Sequence, residues 1–204
     1  MLTMSENENN NQEADLGIFD RTTLDSLGVF MIDGEIRTEM SHQFNVFMHK
    51  SNFLFVPEQE LNVVVNSLGG CVYSGLSIID HIKNSKRPVS THVTGIAASM
   101  GALIASSGTK GKRTISENAF MMCHVLSSGF SGTLHEMKVQ HEHSMQLHKL
   151  MFNLLKQNTE LSDKQVKVLL GDHDAYLTPS EALKYGLVDK ICGPFDAYGQ
   201  ETEQ

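Results

Sequence analysis

Two consecutive strand–turn–helix patterns constrain this chain more than anything else in it. Leu61 to Asn66 is a β-branched run, the kind of strand that is buried on both faces. Ser67-Leu-Gly-Gly70 then turns the chain. Val72 to Lys83 comes next with Leu76, Ile79 and Ile82 on one face, which is helical spacing, and it stops before Pro88. Val89 to Thr94 is the next strand, which Gly95 is expected to break. Ala97 to Ser107, dense in Ala, Met and Leu, reads as a buried helix. A strand that returns parallel to its predecessor through a helix is a βαβ unit, so the fold class is α/β.

The remaining elements extend that pattern. Gly28 to Asp33 is a strand and Ser41 to Phe53 a helix. Lys112 to Ile115 and Ala119 to Cys123 are short strands, and Thr133 to Gln157 is one long helix. Helices over Ser162 to Leu170 and Thr178 to Tyr185 lead to a last strand, Leu187 to Ile191. Residues 1–15 and 197–204 are polar and low in apolar groups, and are expected to be flexible tails around one domain, 16–196.

Composition narrows the classes of partner. A formal net charge of −8 over 204 residues is the wrong sign for gripping phosphates, so nucleic acid is not an expected partner. No apolar run is long enough to span a bilayer, and the N-terminal residues lack a secretory core. Cys71, Cys123 and Cys192 are odd in number and far apart, which fits a reducing compartment, and the expected location is cytoplasmic. Gly108-Thr-Lys-Gly-Lys112 lacks the spacing of a nucleotide-binding P-loop, so the chain itself is not expected to use ATP, and no cofactor or metal is implied. His141 and His143 would fall on different faces of the long helix, which argues against a metal site there.

Four places can carry chemistry. Ser99 sits at a strand-to-helix junction within Gly-Ile-Ala-Ala-Ser-Met-Gly101. The small neighbours admit a substrate backbone, and free amides at a helix start suit an alkoxide and an oxyanion. The same position also suits a simple capping serine. Gly69-Gly70 frees the backbone to aim N–H groups at a ligand, or makes an ordinary turn. His124 ends an apolar strand, where it can face a cleft or simply pack. Asp172 and Asp174 precede the helix that Thr178 would cap, as orienting acids or solvated loop residues. Cys123 adjoins His124 but should point to the opposite face of its strand, and packing is the expected role of both Cys123 and Cys71.

Taken together, these blocks resemble the ClpP family, the proteolytic subunits of the Clp proteases. The resemblance runs from about Leu27 to Cys192. It rests on Gly95 to Ala102, Gly108-Thr-Lys-Gly-Lys-Arg113, Met122-Cys-His124, Asp174 to Thr178 and Glu181 to Asp189, in matching order and spacing. It implies a ClpP/crotonase-like spiral of βαβ units with a protruding handle helix, about 133–157. It implies Ser99 as nucleophile, His124 as general base, Asp174 as orienting acid, and the amides of Gly70 and Met100 as oxyanion hole. It further implies a serine endopeptidase acting on polypeptides inside two stacked heptameric rings, with ATP used only by a separate Clp-type AAA+ unfoldase. Along the handle, His141 and His148 share a face with Leu134, Met137, Met145, Phe152 and Leu155. Such histidines could make assembly pH-sensitive or simply sit at a rim.

This sequence departs from the family at three places. Leu68 stands where the family usually has Pro, so the glycine loop is expected to be less preorganised. Val125-Leu126 replaces a common Gln-Pro after the histidine, which bears on peptide preference. The N-terminal region lacks the familiar axial-loop sequence, which bears on docking to a standard ATPase. Two other readings use the same blocks. One is a crotonase-type acyl-CoA lyase or hydratase, which would rely on acids rather than a Ser–His pair. The other is a catalytically silent ring subunit.

Overall fold

A computed structural model describes residues 21–54, 59–171 and 173–193. The expected tails, residues 1–15 and 197–204, and Asp172 lie outside the described residues. The elements run α1 (Arg21–Ser26), β1 (Val29–Asp33), α2 (Thr38–Leu54), β2 (Leu61–Ser67), α3 (Val72–Lys83), β3 (Val89–Ala98) and α4 (Met100–Ser106). They continue as β4 (Arg113–Ile115), β5 (Phe120–Cys123), α5 (Leu134–Asn158), α6 (Asp163–Leu169), β6 (Ala175–Leu177), α7 (Pro179–Lys184) and β7 (Lys190–Ile191).

The sheet has the order β1-β2-β3-β4-β7, all parallel, and β5 also pairs with β3 in parallel. β6 closes onto β5 antiparallel. Because β1, β2, β3 and β5 run the same way, their C-terminal ends line one edge, where ligands of open parallel sheets bind. The core packs α2, α3 and α4 on the sheet. Phe30 of β1 meets Phe44 of α2 edge-on, with ring centroids 5.1 Å apart, and both are fully buried.

The sheet departs from the expected pattern at β3. Gly95 does not break it. The strand continues to Ala98, so Ala97 and Ala98 belong to the sheet and not to the helix. Gly95 takes φ +58, and the pairing with β2 shifts register between Val65 and Ser67. Asn66 bridges the irregularity: its side-chain oxygen accepts the Ile96 N–H (3.3 Å), and its amide donates to Asp33 (2.8 Å). A bulge of this kind re-aims the residues after it. At the other end of the chain, Leu187 to Asp189 is not strand and only Lys190–Ile191 pairs. Asp189 is instead turned toward Arg113, whose buried guanidinium it holds through two oxygens, with Nε to Oδ2 at 2.8 Å.

α5 begins on a reciprocal cap: the Thr133 hydroxyl accepts the Glu136 N–H, and the Glu136 carboxylate accepts the Thr133 N–H. Only Met151, Leu154 and Leu155, near its C-terminal end, are buried. Leu134, Val139 and Met145 stand exposed on the preceding turns, so the helix projects from the domain. Among the described residues, no helix is long and apolar enough to cross a membrane.

Candidate active site

Ser99 is delivered by the bulged end of β3. Its N–H donates to Met122 O of β5 (2.8 Å), and α4 starts at the next residue. Ser99 has φ +54 and ψ −120, and among the described residues it alone has positive φ without being glycine. A side-chain-bearing residue held there costs about 1–3 kcal/mol, and such strain concentrates at functional sites. It also makes the chain turn sharply enough to lift the hydroxyl out of the sheet edge, the arrangement of a nucleophile elbow.

The neighbouring strand supplies the imidazole. β5 ends at Cys123, and His124 Nε2 lies 2.8 Å from Ser99 Oγ. With Ser99 as donor, the ring proton sits on Nδ1. That nitrogen faces Asp174 Oδ1 at 3.9 Å, longer than a hydrogen bond, and the two form an ion pair only when the imidazole carries a second proton. β6 sets this distance: Cys123 pairs with Ala175, which puts residue 174 opposite residue 124. Asp174 is exposed and His124 half-buried. Composition and period give no sign of β6, because three residues carry no pattern. The antiparallel turn onto β5 is what brings the acid into reach.

The glycine loop leaves β2 and lies beside Ser99. Its amides can be assigned one by one. Gly69 N–H goes to the Ser67 hydroxyl (3.1 Å) and Cys71 N–H to Ile36 O (2.8 Å). Among the described residues, the Gly70 and Met100 N–H groups have no acceptor, and Gly70 is exposed. Two unspent amides near a hydroxyl are what a developing oxyanion needs. Beside the loop opens a groove of about 490 Å³ lined by Asp33, Glu35, Asn66, Leu68, Gly70 and Ile96.

The cysteines divide. Cys123 is fully buried, and burial pushes its thiol up to about 12, so no thiolate is available beside His124. Cys71 does not pack as expected. It is exposed at the start of α3, and hydrogen bonds from Ser74 hold its thiol below the ordinary value. On the handle, His143 Nε2 lies 2.5 Å from the Tyr73 phenol oxygen with the two rings end to end, centroids 6.1 Å apart, and His141 meets Phe130 edge-on. Among the described residues, no group of three His, Cys, Asp or Glu side chains converges as a metal site.

A strained serine on a strand–helix turn, an imidazole at hydrogen-bond distance and two free amides are an arrangement suited to serine-hydrolase chemistry. Comparison with known proteins gives the family. The model of the Clp protease family matches residues 17–194. The ATP-dependent Clp protease proteolytic subunit of Deinococcus radiodurans is 39% identical over 137 residues, which is 66% of this chain and 66% of that one. Proteolytic subunits 1 from Prochlorococcus marinus and from a Synechococcus strain are each 36% identical over 140 residues, 66% of this chain and 68% of theirs. The chain belongs to the Clp protease family.

Proposed function

We propose that this chain cleaves polypeptides through Ser99, His124 and Asp174, with Gly70 and Met100 as the oxyanion hole. The contact of 2.8 Å between His124 Nε2 and Ser99 Oγ carries the reading. His124 takes the Ser99 proton as Oγ attacks the scissile carbonyl carbon. The carbonyl oxygen gains negative charge and is held by the Gly70 and Met100 amides. His124 returns its proton to the leaving amine, and the C–N bond breaks to leave an acyl ester on Ser99. Water, deprotonated by His124, then releases the acid and restores the serine. Asp174 keeps the Nδ1 proton in place and stabilises the imidazolium, a role that the separation of 3.9 Å allows once the side chain closes by about the difference to a hydrogen bond.

The same chemistry suits an enclosed assembly. The relatives are named as subunits of an ATP-dependent protease, and the exposed apolar side chains of the projecting α5 suit burial between copies. The proposed form is two stacked heptameric rings that enclose the serines in a cytoplasmic chamber. A Clp-type AAA+ unfoldase would feed it and would use the ATP. Cleavage of a short fluorogenic peptide by the purified full chain, and its loss in Ser99→Ala with assembly intact, is the expected result. Undiminished cleavage by Ser99→Ala would overturn the reading. So would a chain that assembles and cleaves nothing, which would favour the silent subunit.

A further inference from the structure

We infer that Ser67 is a positioning residue for the oxyanion loop. Ser67 is the last residue of β2 and is 1% exposed. Its hydroxyl makes two bonds at once. It donates to Gly34 O, in the turn after β1 (2.5 Å), and accepts the Gly69 N–H (3.1 Å). One buried oxygen therefore ties the loop to the neighbouring strand end.

The order of amides then decides which one is free. Gly69 N–H is turned inward to Ser67, and Gly69 C=O accepts the Ile36 N–H (2.9 Å), so the far end of that peptide, the Gly70 N–H, points away from Ile36 and has no acceptor among the described residues. Cys71 N–H is in turn fixed on Ile36 O. The loop is thus pinned on both sides of the one amide offered to substrate. Leu68, between Ser67 and the first of these pins, is 72% exposed, and no ring restricts its φ. The start of α4 rests on the same residue: a β-carbon on Gly101 would come within 3.0 Å of Ser67 O. Removing the hydroxyl would orphan the Gly69 N–H and the Gly34 C=O together, and a loop free to satisfy them otherwise would rotate Gly70 away from Ser99.

This role rests on the proposed triad and oxyanion hole. The test compares Ser67→Ala, Ser67→Cys, Ser99→Ala and the unaltered chain, each as full-length assembled protein. The substrate is a fluorogenic peptide, and the probe is a boronic acid of the same peptide. Ser99 Oγ bonds to boron with nothing leaving, its proton passes to His124, and a boronate oxygen occupies the oxyanion position. Ser67→Ala is expected to lower kcat about 10-fold or more with KM within about twofold, since one oxyanion donor is weakened. Boronate affinity should fall by the same factor as kcat/KM, and Ser67→Cys, a poorer hydrogen-bonding isostere, should lie between. An assembled Ser67→Ala chain with kcat within about twofold of the unaltered one would overturn the role. So would a loss of kcat with boronate affinity unchanged. If Ser67→Ala does not assemble, Ser67→Cys is held to the same comparison. Boronate binding equal in the unaltered chain and in Ser99→Ala would overturn the triad itself, a result distinct from either.

Discussion

Gly69 lies so close beneath Ser99 that a β-carbon built on it would come within 2.7 Å of Ser99 Cβ and 2.9 Å of Ala98 O. Gly69 also has φ +96, where side chains are strained. Gly69→Ala must therefore push the loop off the serine or shift the strained turn. It should lower kcat by about 10²-fold or more, the scale of losing an oxyanion donor, with the fold retained. Steady-state kinetics beside a circular dichroism melt checks this.

Asp174 stands 3.9 Å from His124 Nδ1 and is exposed, so the part proposed for it is orientation in a solvated setting. Asp174→Asn should lower kcat by about 10²- to 10⁴-fold at neutral pH, because the amide can favour the wrong imidazole tautomer. Activity within about threefold of the unaltered chain would remove Asp174 from the triad.

The two cysteines nearest the site should react very differently. Cys71 is exposed with its thiol lowered by Ser74, whereas burial raises Cys123 to about 12. Brief iodoacetamide treatment at pH 7.5 (about one unit below a free thiol's pKa) should modify Cys71 and spare Cys123 in the native protein. Peptide mapping by mass spectrometry reads the ratio.

The buried Arg113 and the half-buried Asp189 form the ion pair that fastens β7 to β4. Burial by itself would raise the Asp189 carboxyl, but side-chain and backbone hydrogen bonds from Arg113 more than offset it and hold the group below its ordinary value. A depressed folded-state value means that the unfolded chain binds the proton first. The stabilisation is therefore present above about pH 4 and is lost as pH falls through the lower folded value. Asp189→Asn leaves the Arg113 charge buried and should cost about 3 kcal/mol at pH 7, with the deficit shrinking in acid. Urea melts of both chains at pH 7 and pH 3.5 give the comparison.

The fold was legible where period and punctuation agree. The bounds of α3 match the apolar spacing from Val72 to Lys83, and α5 starts one residue after Thr133, which caps it. The run Leu61 to Asn66 lies in β2, which extends it by Ser67. What escaped was decided by tertiary contacts. Gly95 looks like a breaker in one dimension, but Asn66 carries the strand past it by accepting the Ile96 N–H. β6 is too short for any pattern and exists because β5 is there to pair with. α1, six residues long, gave no periodic signal.

The candidate site was legible as residue types and intervals, and Ser99 and His124 meet at one sheet edge with Gly69 of the glycine loop against Ser99. The positive φ of Ser99 was not legible, because it arises from the bulge upstream and the bond to Met122 O rather than from local propensity. Nor was the part played by Ser67, whose hydroxyl acts across 33 residues on Gly34.

Labelling with a fluorophosphonate tests the central claim most directly, because the phosphorus reacts only with an activated nucleophile. The account predicts one adduct per chain, on Ser99, located by peptide mapping and abolished in His124→Ala. An unlabelled Ser99 in assembled protein, or an adduct that persists undiminished without His124, would contradict it.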